Sequence, residues 1–339
     1  MGTTSISEVA ALAGVSETTV SHAISGRRPV SAATLARVNK AIEQLGYRPN
    51  RLASGLRSQR THTTALIVPD INNPFYPAVA RGLQDALGSR GYQYFICSTD
   101  GLPELEDSFL ADAIDRRVDG IVFAPAHAAQ LPPSLQTSHG IPTVLLSASA
   151  GVPHTAIDHP AMDIVRGNDE RGMQTAAQYL IERGHTRIGF INAPLDTGPA
   201  RRRFEGYLAA MSAAGLPVDD SLMTTTAFTR EGGRIGLELL MATEVPPTAV
   251  LCGNDLIAIG ALDHARERRM TVPGEISIVG YDDIEASSLV SPPLTTVSNP
   301  AREIGHACGK LLLDRMTGEY DSNSREVTIA NSLIVRGSA

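Results

Sequence analysis

The sequence predicts an α/β protein: an N-terminal all-α helix-turn-helix head followed by two successive α/β lobes. Three observations carry this. Residues 5–46 hold three short stretches of helical spacing, two of them ended by glycine. From Thr63 onward, short apolar strands alternate with helices of about 10–15 residues, the pattern of βαβ units around a parallel sheet. The charge divides at the same place. Residues 1–60 contain eight Lys and Arg against three acids, a net +5, while the other 279 residues carry −12 within an overall −7.

The first helix starts at Ser5, with Glu8 three residues on, the capping box that satisfies amide donors at a helix start. Val9, Leu12 and Ala13 fall on one face, and Gly14 permits the turn. Ser16 caps a second helix whose inner stripe is Val20, Ala23 and Ile24, leaving Glu17, Thr18, Ser21 and His22 outward. Gly26-Arg27-Arg28-Pro29 is a basic loop. Ser31 caps a third helix, with Val30 and Leu35 placed as a hydrophobic staple, and Gly46 ends it. Helix, glycine turn, then a polar-faced helix is the pattern that lays its second helix in a DNA major groove. Asn50–Arg57 then spells a short helical segment that is too short to stand alone in water.

In the body, strands are predicted at 63–69, 93–97, 118–124, 142–146, 187–191, 223–226, 249–252 and 277–281. Helices are predicted at about 77–90, 102–116, 171–183, 201–214, 230–241 and 256–268. There is no P-loop, GxGxxG, GxSxG or HExxH pattern, which argues against an enzyme. The nine histidines are scattered, so neither a metal nor a cofactor is expected. Cys97, Cys252 and Cys308 are odd in number and far apart, which excludes a disulfide framework and suits a reducing cytoplasm. No apolar run of about 18 residues suggests a membrane span.

Residues 5–57 resemble the DNA-binding head of the lactose/galactose repressor (LacI/GalR) family. The resemblance rests on Val9-Ala10, Ala13-Gly14-Val15-Ser16, Thr19-Val20-Ser21, Val30-Ser31, Gly46-Tyr47-Arg48-Pro49-Asn50 and Leu56. It implies that Glu17, Thr18 and His22 occupy base-reading positions, that Asn50–Arg57 is a hinge helix, and that Leu56 is a minor-groove wedge. Ser16, Thr19, Ser21, Arg27, Asn50 and Arg51 complete the DNA-contacting set. The chemistry suits those roles, since Thr18 can pack on a thymine methyl and His22 can donate to guanine.

The body is similar to the same family in Asp70-Ile71-Asn72-Asn73-Pro74-Phe75-Tyr76, Val118-Asp119-Gly120-Ile121, Gly253-Asn254-Asp255, Gly280-Tyr281-Asp282-Asp283 and Pro293-Leu294-Thr295-Thr296-Val297. The fold implied is two Rossmann-like lobes of periplasmic-binding-protein type, with the chain crossing between them three times. Lobe one then spans 63–165 plus 299–318, and lobe two 166–298 plus 325–337. The head is 1–48, the hinge and linker 49–62, and the effector-binding and dimerisation domain 63–339. Ligands of such folds bind beyond the carboxyl ends of the strands. That points to Asn72, Phe75, Arg201, Phe228, Asn254 and Asp282 as ligand-binding residues. Asp255 reads instead as the cap of the helix that follows it. Two departures from the family pattern stand out: Ser147 replaces an aspartate after the fourth strand, and Asn168-Asp169 replaces Asp-Asn.

The expectation is therefore a cytoplasmic, homodimeric transcriptional repressor of near-palindromic double-stranded DNA, allosterically controlled by a small ligand, in the first instance a sugar. A purine- or nucleoside-responsive regulator and a solute-binding protein are the alternatives.

Overall fold

A computed structural model describes residues 4–25, 28–47, 60–127, 132–136, 140–146 and 162–339. Arg27, Asn50, Arg51, Leu56 and Ser147 lie outside them. The chain forms two compact units, Met1–Thr61 and His62–Ala339.

Among its described residues the first unit has three helices: α1 (Ile6–Ala13), α2 (Glu17–Ser25) and α3 (Ala32–Leu45). The capping box is present in full, with the Ser5 amide donating to Glu8 at 2.6 Å and the Glu8 amide donating back to Ser5 Oγ. Gly14 ends α1 at φ +64° and Gly46 ends α3 at φ +59°, left-handed conformations that favour glycine. The core is Val9, Ala10, Ala13, Val20, Val38 and Ala41. Leu12, Ile24 and Leu35, which the spacing assigns to inner stripes, are exposed. Three short helices enclose too little volume to cover every apolar side chain.

The second unit is built from two six-stranded sheets. The first contains β1 (Thr63–Val68), β2 (Gln93–Ser98), β3 (Gly120–Phe123), β4 (Thr143–Leu146), β5 (Met162–Gly167) and β11 (Glu326–Ile329), in the order 11-5-4-3-1-2. The second contains β6 (Ile188–Asn192), β7 (Met223–Thr225), β8 (Ala249–Cys252), β9 (Ser277–Asp282), β10 (Thr295–Ser298) and β12 (Ser332–Ile334), in the order 12-10-9-8-6-7. Every pairing is parallel except β10 with β12. Both sheets are doubly wound, with the strand order reversing at β1/β3 and at β6/β8. Ligands of open α/β sheets bind at these reversals.

Flanking helices in lobe one are α4 (Phe75–Leu87), α5 (Pro103–Asp115), the short α6 (Pro133–Gln136) and α12 (Ala301–Thr317). Lobe two has α7 (Asp169–Glu182), α8 (Ala200–Ala213), α9 (Arg230–Met241), α10 (Asp255–Glu267) and the short α11 (Glu285–Leu289). Each sheet has an apolar core on both faces. The inner strands β1, β3, β4, β6, β8 and β9 are accordingly buried almost throughout, as strands covered on both sides are.

The lobe boundaries differ from the sequence expectation. The first sheet keeps β5 to Gly167, and the chain enters lobe two at Asn168 instead of 166. Residues 326–329 belong to lobe one, because β11 adds to the edge of β5 with Glu326 opposite Ile164. The last passage into lobe two therefore falls at Ala330-Asn331. A buried ion cluster holds this arrangement. Arg315 on α12 donates to both oxygens of Asp163 at 2.7 and 2.8 Å, and Arg325 donates to Asp163 and Asp314.

Candidate functional site

In the first unit, the outward side chains of α2 divide by role. Ser16 Oγ accepts from the Thr19 amide at 3.2 Å and shares a hydrogen bond with the Thr19 hydroxyl, so both serve the helix start. The Glu17 carboxylate accepts from Ser7 Oγ of α1. This ties the two helices together, with Glu17 itself exposed. Thr18, Ser21 and His22 lie on one face at i, i+3 and i+4, with Thr18 exposed and the other two half-buried. Val20 is wholly buried among the core residues. The face left to meet a partner is thus small and polar, made of Thr18, Ser21 and His22.

In the second unit, the loops at the two strand reversals enclose a small cavity of about 80 Å³. Its walls include Asp70, Asn73 and Tyr76 after β1, Ala124–Ala126 after β3, Thr197–Pro199 after β6, and Phe228 after β7. The lobes touch at its rim. His127 pairs in a β-bridge with Thr197, the Gly198 amide donates to the Ala126 carbonyl at 2.8 Å, and His127 Nδ1 stands 3.7 Å from Asp196.

Near Phe228, one wall of this cavity, lies a buried cation between carboxylates. Arg203, on α8, is 3% exposed. It donates from Nε to Asp169 at 3.0 Å, from Nη2 to Asp282 at 3.2 Å, and from Nη1 to the Gly253 carbonyl. Its guanidinium lies over the Tyr281 ring, 3.8 Å from the centroid, and 6.0 Å from that of Phe228. Arg201, the sequence candidate, is exposed instead. Two residues along a helix turn a side chain by about 200°, so the two arginines take opposite faces.

Asp282 occupies the end of β9 with φ +113°, a backbone state held by its surroundings. Burial pushes its carboxyl up to about 6, against the opposing pull of Arg203 and Asn299. Tyr76 stands nearby. Its phenol is pushed up first by burial, then by Asp282, Asp70 and Glu106, with Arg203 pulling the other way. Phe75 is buried and meets Tyr76 edge-on at 5.3 Å.

Two other candidates make hydrogen bonds within the scaffold. Asn72 is exposed and donates from both its amide and its side chain to Asp70. Asn254 is the true cap of α10, accepting from the Ile257 amide at 2.9 Å, and its side chain also donates to the Phe228 carbonyl. Asp255, which the sequence reads as the cap, is fully buried. It accepts from the Ile284 amide, Ser287 Oγ and Thr296 Oγ1 at 2.8, 2.6 and 2.5 Å. Burial raises it to about 7.

A ladder of asparagines joins Asp282 to the inter-lobe passages. Asn299 Nδ2 donates to Asp282 at 3.3 Å, Asn331 Nδ2 donates to Asn299 at 3.4 Å and to the Tyr281 hydroxyl, and the Asn168 amide donates to Asn331 at 2.5 Å. Gly167 leaves room for this ladder, since a Cβ there would stand 2.4 Å from Asn299 Oδ1 and force that side chain to shift.

Comparison with known proteins bears on both units. Residues 5–50 match the family described as bacterial regulatory proteins, lacI family, and residues 177–339 match a periplasmic binding protein-like domain. The ribose operon repressor of Escherichia coli (strain K12) is 37% identical over 98% of each chain. The chain belongs to the lacI family.

Solved relatives agree with this family membership. The transcriptional regulator CelR in complex with cellobiose superposes with a TM-score of 0.76 at 32% identity, over 99% of this chain and all of that one. A LacI family regulator from Enterococcus faecium with bound ribose gives 0.72 at 27%, over 82% of this chain and 98% of that one. This LacI-family protein is a DNA-binding transcriptional regulator with the architecture for allosteric control by a small molecule. Among its described residues no helix is long and apolar enough to cross a membrane. No group of three or more His, Cys, Asp or Glu among them is placed to hold a metal.

Proposed function

We propose that the protein is a cytoplasmic repressor. It binds a near-palindromic operator as a homodimer, and a sugar in the inter-lobe cleft sets its operator affinity. The observation that carries the sugar is the pairing of Arg203 with Asp282 at a strand end, beside the rings of Phe228, Phe75 and Tyr76. A fork of donors beside a carboxylate acceptor fits adjacent hydroxyls, and flat rings fit the apolar face of a pyranose or furanose. The names of the relatives, a ribose operon repressor and complexes with cellobiose and ribose, lean the same way.

The cavity of about 80 Å³ is small against the roughly 300–1,000 Å³ of ordinary ligand sites. Ligand entry therefore has to part the rim contacts between 126–127 and 197–198, and that couples occupancy to lobe geometry. Dimerisation follows from recognition. One short helix gives few base contacts, and a two-fold operator mirrors a two-fold protein.

The test is a gel-shift on the DNA beside the protein's own gene, with and without a panel of pentoses, hexoses and disaccharides. A salt-sensitive shift on a palindrome, altered by one sugar, is expected. No shift on any palindrome there would overturn the repressor reading, and a shift indifferent to every sugar would overturn the effector.

A further inference from the structure

We infer that Asp169 sets the charge selectivity of the cleft: by holding the Arg203 guanidinium together with Asp282, it reserves the site for uncharged polyols and turns away anionic ones. This rests on the reading of the cleft as the effector site.

An arginine in a ligand site ordinarily invites carboxylates and phosphates. Arg203 is differently placed. Two carboxylates and a carbonyl already take one donor from each of its three nitrogens. Both carboxylates are as buried as the arginine. Asp169 owes its position to the first turn of α7, where Gly206 of α8 lets the two helices approach: a Cβ there would stand 2.1 Å from the Glu170 carbonyl. An anion accepting from the remaining Arg203 N–H groups would stand beside two carboxylates, and one that displaced Asp169 or Asp282 would leave that carboxylate buried without a cation. A hydroxyl faces no such conflict, because it can donate to a carboxylate and accept from a guanidinium N–H at once. Tyr76, standing among Asp282, Asp70 and Glu106 with one cation near, experiences the same negative surroundings.

The experiment uses the full chain and the variants Asp169→Asn and Asp169→Glu. Thermal stabilisation and calorimetric binding are measured with matched neutral and anionic probes: ribose and ribose 5-phosphate, glucose and glucose 6-phosphate, inosine and inosine monophosphate. Sodium phosphate is compared with sodium chloride at equal ionic strength. For the wild type and Asp169→Glu, the neutral member should bind at least about 100-fold more tightly than its anionic partner, the size a several-kcal/mol like-charge conflict produces. Phosphate should give no specific stabilisation. In Asp169→Asn the gap should narrow at least about tenfold and phosphate should become stabilising, because one of the two carboxylate charges that oppose an anion at Arg203 is gone.

An anionic probe that binds the wild type as tightly as its neutral partner, or phosphate-specific stabilisation of the wild type, overturns the inference. So does an unchanged gap in Asp169→Asn, or loss of the gap in Asp169→Glu. If Asp169→Asn does not fold, the wild-type and Asp169→Glu arms still decide. Failure of every sugar, or binding confined to inosine, overturns the sugar reading instead, and the phosphate comparison still decides the charge inference.

Discussion

Arg201 and Arg203 stand two positions apart and face opposite environments, which makes them a paired test. Arg203→Ala would leave Asp169 and Asp282 buried without their cation, and breaking a buried pair in this way costs about 3–5 kcal/mol. We expect that loss in urea denaturation, together with loss of any sugar-induced thermal shift. Arg201→Ala should change stability by less than about 0.5 kcal/mol. Equal effects of the two would refute the placement. The distinction was available in the sequence, because Arg203, Tyr207 and Ala210 repeat at i, i+4 and i+7 along the buried stripe of α8. Chemistry alone does not separate three consecutive arginines. Asp255 offers a second residue-level prediction. Its folded pKa is raised by burial to about 7, above the unfolded value near 4. Between those values the folded chain keeps a proton that the unfolded chain releases, so stability falls as pH rises through that window and the penalty is complete above about pH 7. The melting temperature of the wild type relative to Asp255→Asn should therefore drop from pH 5 to pH 8. A pH-independent difference would mean that the buried carboxyl is not the titrating group.

At the scale of elements, the helix pair α4 and α12 is set by glycines. A Cβ at Gly305 would stand 2.0 Å from the Val79 carbonyl, and one at Gly82 would stand 1.9 Å from the Arg302 carbonyl. Both contacts are with backbone, so relief requires moving a helix. Gly305→Ala should cost about 1–3 kcal/mol by overpacking, even though alanine is the better helix former. A gain in stability, read by chemical denaturation, would show that the helices are free to separate. Such contacts are invisible in a single sequence, where a helical glycine reads only as a weak helix former. The elements themselves were legible from their spacing: the capping box at Ser5, the turn at Gly14, and the alternation of strand and helix from Thr63. The placement of β11 was not. Glu326-Val327-Thr328-Ile329 alternates in burial like any edge strand, and only two residues separate it from β12 in the other sheet. Nothing local says which edge it joins. That is decided by β5, and the Asp163–Arg325 pair fixes the start of the strand.

For the molecule as a whole, the question is how occupancy of the cleft reaches the passages between the lobes. Asp282, Asn299, Asn331 and the Asn168 amide form one hydrogen-bonded chain from the carboxylate at the cleft to each of the three passages. Asn299 and Arg203 both donate to Oδ1 of Asp282, so on the proposed reading a sugar that draws on this carboxylate bears on the contact that fixes the passages together. Linkage makes this quantitative. If sugar changes operator affinity by some factor, operator must change sugar affinity by the same factor, and couplings of this kind are typically about 5–150-fold. Four dissociation constants close the cycle: operator with and without sugar, and sugar with and without operator. The wild type should close it with a factor well away from one. If Arg203 and Asp282 are the sugar's partners, as proposed, its affinity for Asn299→Ala in the absence of DNA should stay within about tenfold, since one hydrogen bond is worth about 1 kcal/mol. The coupling factor, however, should collapse toward one, because the Asp282 carboxylate no longer holds the passages. A variant that retains the wild-type factor would show that the signal leaves the cleft by another route, the rim contacts at 126–127 and 197–198 being the alternative the structure offers.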